Sequence, residues 1–224
     1  MIFDPLYFIM IGPFLLLGLF AQMWVKSSFR SGQQVQTPIS GAQAARRILD
    51  ENGLSQMPIE CIDGELSDHY DPSAKVLRLS RAVYEGYNAA AVGVAAHEAG
   101  HALQDAQRYP LLVLRNMAVP MAGIGSNFGM TLFIIGLIFS APMLVKIGVI
   151  LFAAVVFFQV VNLPVEFNAS SRAKFQIANM GMVSDAAQST VRSVLLAAAM
   201  TYVAATLQAI MTLVYLLMRA NSDE

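Results

Sequence analysis

The chain reads as an α-helical multi-pass membrane protein of four transmembrane helices that carries one small α+β domain. Three observations predict this class. The 224 residues are 56% hydrophobic but only 13% charged, against about 25% charged in soluble domains. Four stretches hold no charged side chain at all, and each approaches or exceeds the roughly 20 residues a helix needs to cross a bilayer. All 29 charges therefore fall on the remaining residues, which have a near-ordinary soluble composition. A net charge of −1 lacks the basic surplus of a nucleic-acid binder, and the hydrophobicity excludes disorder.

The first span, 5–25, follows an acidic N-region with no small-x-small cleavage site, so it is expected to stay as an anchor. The second, 117–140, is the weakest, because Gly123, Gly125, Ser126, Asn127 and Gly129 make its first half small and polar. The third and fourth run over 147–165 and 194–218. A buried helix of a large soluble core is the competing reading for each. Twelve Lys and Arg lie in segments 26–116 and 166–193, against Lys146 and Arg219 on the other side. The positive-inside bias then places both larger segments in the cytoplasm and both termini outside.

Segment 26–116 is long enough for one domain. Ser27–Pro38 is polar and suits a flexible exit from the membrane. Ser40 can cap a helix through Ala42–Glu51, with Gly53 stopping it. Pro58–Ile62 is expected as a strand, and Glu65–Tyr70 and Lys75–Leu79 as a hairpin around Asp71-Pro72-Ser73-Ala74. From Asn88, a possible N-cap, an Ala-rich run through Gln107 reads as a helix in which Gly93 and Gly100 are tolerated weaknesses. Cys61, the only cysteine, has no disulfide partner and is expected as a small buried side chain.

The Ala-rich helix contains His97-Glu98-Ala99-Gly100-His101. Imidazoles at i and i+4 share a helix face and can both reach one Zn²⁺. Glu98 is then placed to take a proton from water, while the metal supplies Lewis acidity at neutral pH. Random order would produce this pattern in about one such chain in a thousand, so it is a strong short signal, although two ordinary histidines on a helix are the competing explanation. A catalytic zinc usually has three protein ligands. Asp105 sits about 12 Å along the axis from His97 and cannot close the same tetrahedron, but it can orient the outer nitrogen of His101 or simply be solvated. Glu166 follows the third span directly and returns to the membrane face of the His-bearing helix, so it is the better third ligand; its alternative is a carboxylate stabilised at a helix N-terminus.

Together with Asp68-His69-Tyr70-Asp71-Pro72 and Leu163-Pro164-Val165-Glu166-Phe167-Asn168-Ala169-Ser170, this motif resembles the YugP-like neutral zinc metallopeptidases of bacterial membranes. More distantly it is similar to the HtpX and CaaX-protease class of membrane gluzincins, where a second helix supplies Glu in a pattern E-x-x-A-D. Here Ser170 stands where that pattern has Asp. The resemblance implies one zinc held by His97, His101 and Glu166, a zincin-like domain, a bacterial membrane location and peptide-bond hydrolysis. It does not imply a substrate.

His69 or Tyr70 could donate to the developing oxyanion, and Arg172 could do so from the other side, although surface or structural roles compete for all three. A hairpin edge beside the zinc helix would let an extended peptide bind by strand addition. The expected partners are thus a peptide or protein substrate and the lipid bilayer, with self-association through Gly123, Gly125 and Gly129 open. The second functional reading is a membrane adaptor in which zinc is structural or absent, and a prenyl-type processing protease differs from the first only in substrate. Structural zinc normally has four protein ligands, and the lack of spare cysteines weighs against it.

Overall fold

A computed structural model describes residues 4–222 of the chain. Its order is α1 (Pro5–Gln33), α2 (Gly41–Glu51), β1 (Ile59–Ile62), β2 (His69–Asp71), β3 (Val76–Ser80), α3 (Arg81–Tyr84), α4 (Ala89–Ala106), α5 (Pro110–Ile124), α6 (Met130–Ile138), α7 (Pro142–Asn179) and α8 (Asp185–Ser222). A π-helical turn, Gly125–Gly129, joins α5 to α6. Four helical stretches, with α5 and α6 counted as one, are long and apolar enough to cross a membrane.

The chain forms two compact units. One comprises residues 22–109 and 166–200, the other 1–21, 110–165 and 201–224. The first unit contains the sheet, with strand order β1-β3-β2. β3 pairs parallel with β1 (Ile59 opposite Leu77) and antiparallel with β2 (Tyr70 opposite Leu77), so β2 is an edge strand. The core of this unit is formed by Ala44, Ile48 and Leu49 of α2, Leu77 and Leu79 of β3, the alanine face of α4, and Ala173 and Ile177 of α7. Alanine dominates because short side chains let helices approach closely, and Gly100 is the extreme case. A Cβ there would lie 2.6 Å from the carbonyl oxygen of Ala169 on α7, so only glycine allows that contact.

Local signals explain the helix ends. Ser40 and Gln43 form a reciprocal capping box at α2, and Gly53 follows that helix in the left-handed region. Asn88 caps α4 by accepting from the Ala91 N–H.

Several boundaries differ from the sequence reading. The polar stretch after the first span is not a flexible exit, because α1 continues without a break to Gln33. The second apolar helix starts at Pro110 rather than 117 and takes in Arg115, whose guanidinium is satisfied by Asn162 and Asn116. Residues Glu65–Ser67 do not join the hairpin strand, which begins at His69. Cys61 is exposed rather than buried, on the edge strand β1, whose two middle residues, Glu60 and Cys61, both face solvent. Gly125 and Gly129 pack against Leu151, Phe152 and Gly148 of the same chain, whereas nothing lies within 4 Å of a Cβ at Gly123.

Glu166 does not open a helix. It lies inside the 38-residue α7, two residues after Pro164, so a helix N-terminus cannot account for its charge.

Candidate metal centre

Helical spacing on α4 sets His97 and His101 side by side, with ring centroids 4.8 Å apart. The close approach at Gly100 brings α7 alongside, and Glu166 Oε2 lies 3.3 Å from His97 Nε2 and 3.5 Å from His101 Nε2. Donor atoms of these three residues all fall within 4.8 Å of one another.

Whether this set fits zinc can be tested on its own geometry. Ligands at about 2.0–2.1 Å from a tetrahedral Zn²⁺ are separated by roughly 3.3–3.4 Å, close to both Glu166–imidazole distances, with all three donors within 4.8 Å. Oε2 of Glu166 is buried and makes no hydrogen bond, an arrangement that carries a desolvation cost unless a cation meets it. Burial works against charge on His101, yet the Glu166 carboxylate beside it, the charge of Glu98 and the Gln104 side chain together raise its pKa above the ordinary imidazole value. A site that draws a proton to an imidazole in this way also draws a dication. The residues fit zinc.

The outer nitrogens are held as well. Ser170 Oγ lies 3.1 Å from His97 Nδ1, occupying the place where the similar pattern has Asp. Gln104, fully buried, sets its Oε1 3.0 Å from His101 Nδ1 and donates from Nε2 to Asn168 Oδ1 at 3.0 Å. Asn168 Oδ1 also accepts from Arg172 Nε at 2.7 Å, and Arg172 Nη1 donates to Gln107 Oε1 at 2.6 Å.

Hydrogen-bond polarity along this chain follows from one end. A guanidinium only donates, so the Asn168 atom facing it is the carbonyl oxygen. Gln104 must then present its NH₂ to Asn168 and its oxygen to His101. The proton of His101 is therefore on Nδ1 and the lone pair on Nε2, facing Glu166. Arg172 determines which ring nitrogen is free for a metal, through two amide side chains.

Glu98 is buried, and its Oε2 accepts the backbone N–H of Tyr70 at 3.1 Å, which ties it to the edge strand β2. Asp105 does not orient His101. It accepts from the Tyr70 hydroxyl at 2.6 Å and pairs with Lys75, while Gln104 occupies the position at the imidazole. His69 is exposed, with Nδ1 donating to the Ser67 carbonyl 2.8 Å away, and is not among the side chains that converge. Arg172 donates from Nε to Asn168 and from Nη1 to Gln107 and lies over the Tyr109 ring, which makes it a positioning group in this arrangement. Sequence reasoning missed Gln104, Asn168 and Gly100. Gln104 and Asn168 carried a usable signal, as polar residues one helical turn from His101 and two positions beyond Glu166, the first fully buried and the second half-buried.

Two helices thus bring together two imidazoles and a carboxylate that could hold one metal ion, a donor set of the kind found in zinc sites. The chain belongs to a protein family: residues 7–221 match the model described as "Putative neutral zinc metallopeptidase". It is 46% identical over 204 residues to "Putative membrane protease YugP" of Bacillus subtilis (strain 168), covering 90% of this chain and 91% of that protein. No solved structure matches the chain.

Proposed function

We propose that the protein is a membrane-embedded zinc metalloendopeptidase that hydrolyses peptide bonds at the cytoplasmic membrane face. The observation that carries this reading is the buried, unpartnered Glu166 Oε2 facing His97 and His101 Nε2, with Glu98 beside them on α4. His97, His101 and Glu166 would hold one zinc ion, which when bound supplies Lewis acidity to the scissile carbonyl and to water. Glu98 is the proton-transfer group. The Tyr70 N–H holds Oε2, and Oε1 takes the proton of the attacking water and returns it to the leaving amine. An extended substrate would lie beside the edge strand β2, whose outward Tyr70 N–H is already held by Glu98, and be recognised through its main chain.

Four apolar helices, the Lys and Arg bias and the name of the relative support insertion as spans 5–25, 117–140, 147–165 and 194–218 in a bacterial membrane. The unit built from residues 22–109 and 166–200 groups most of the two segments assigned to the cytoplasm, 26–116 and 166–193, leaving out 110–116. Protein purified in detergent should hold about one zinc and cleave an unfolded substrate such as casein, while Glu98→Gln keeps the metal and abolishes cleavage. Equal cleavage by Glu98→Gln and wild type refutes the mechanism.

A further inference from the structure

Beside the metal centre, the same unit holds a pocket of 480 Å³ walled by Leu54, Met57, Pro58, Tyr70, Lys75 and Asp105. Asp105 lies four residues after His101, on the same face of α4 and about 6 Å further along its axis. That is the reach of about two residues of an extended peptide at 3.3 Å each. Tyr70 links the two places, its backbone N–H on Glu98 and its hydroxyl on Asp105. A substrate that crosses Glu98 along β2 therefore passes this pocket within one or two residues of the scissile bond.

The pocket's electrostatics favour a cation. It lies where α2 and α4 end, and its carboxylate is that of Asp105. The Arg46 guanidinium behind the wall is spent on Asp50 and on the carbonyls of Leu54 and Met57, and among the described residues that line the pocket the cation is Lys75, whose ammonium sits on Asp105. Lys75 is 59% exposed and its backbone is held at φ 53°, a conformation uncommon for a residue with a side chain. Lys75 therefore reaches Asp105, which is only 21% exposed, from the solvent side, where another cation can take its place. Leu54, Met57 and Pro58 offer apolar wall to an aliphatic stem, and Asp105 offers a carboxylate to its charged end.

We propose that this pocket is a specificity subsite for a lysine or arginine side chain of the substrate, which displaces Lys75 from Asp105. The proposal rests on the peptidase reading for the substrate's path, so its test is made on binding. Full-length Glu98→Gln protein in detergent with zinc is titrated with labelled peptides that carry lysine, arginine or norleucine at each successive position, and anisotropy reports affinity. At one position the cationic side chains should bind on the order of tenfold tighter than norleucine. Asp105→Asn should remove that preference, and Lys75→Ala, which deletes the competitor, should raise it about two- to fivefold. Equal binding of all peptides, a preference for norleucine, or a cationic preference that survives Asp105→Asn overturns the subsite. If wild type cleaves nothing while the Asp105-dependent preference persists, the subsite stands and the peptidase reading falls.

Discussion

Replacing Gln104 by Met keeps the volume of a fully buried side chain and removes both of its hydrogen bonds in the chain that fixes His101. Asn168 retains its bond from Arg172, but the Nδ1–H of His101 loses its acceptor. Leaving such a donor unpaired costs about 1–3 kcal/mol. Part of this loss falls on folding and part on the metal-bound form, where the proton is required on Nδ1. At 1.4 kcal/mol per tenfold, zinc affinity should fall about 10- to 100-fold, the range found when outer partners of ligating histidines are removed. Titration of purified protein with a competing chelator measures it. Arg172→Met should weaken binding less, because the two amides remain but can turn over. If Gln104→Met holds zinc within about threefold of wild type, the polarity argument that starts from Arg172 is wrong.

Gly100→Ala should separate α4 from α7, since the new Cβ would lie 2.6 Å from the Ala169 carbonyl oxygen, a backbone atom; zinc content and thermal midpoint should both fall. Glu166→Ala should lose zinc and Asp105→Ala should keep it, read as metal per chain after dialysis, with the reverse pattern exchanging their roles. Burial, the hydrogen bond to Asp105 and its negative charge all raise the Tyr70 pKa. A phenol raised above its unfolded value of about 10 contributes stability that is complete below pH 10 and is lost as pH climbs through the folded value. Absorbance at 295 nm, as a difference between wild type and Tyr70→Phe, should show this phenol still protonated near pH 11, and Asp105→Asn should bring its titration down.

Hydrophobic patterning and a strong five-residue motif made much of the protein legible in one dimension. Uncharged runs locate helices because charge is costly in an apolar surrounding, and His97, Glu98 and His101 share a face by helical period alone. The caps at Ser40 and Asn88 are equally local and fall where those residues stand. Positions that act through a neighbouring helix were not legible in this way. Asp105 has the right spacing to serve His101, yet Gln104 does so, because the rotation of α4 against α7 turns Gln104 inward towards Asn168. Gly100 looks like a weak point in a helix until the carbonyl of Ala169 is seen against it.

By itself, then, the sequence located the apolar helices, set the two imidazoles on one helix face and pointed to Glu166 rather than Asp105 as the carboxylate that comes beside them, all of which follow from period, length and charge. Only the tertiary structure decided that Glu166 lies within a continuous helix rather than at its start, that Ser170 faces His97, and that Arg172 sets the proton of His101 from three side chains away. The physical reason is that hydrogen-bond polarity and close backbone approach belong to pairs of elements. Residues 97–107 and 166–172 acquire those roles only when α4 and α7 pack together.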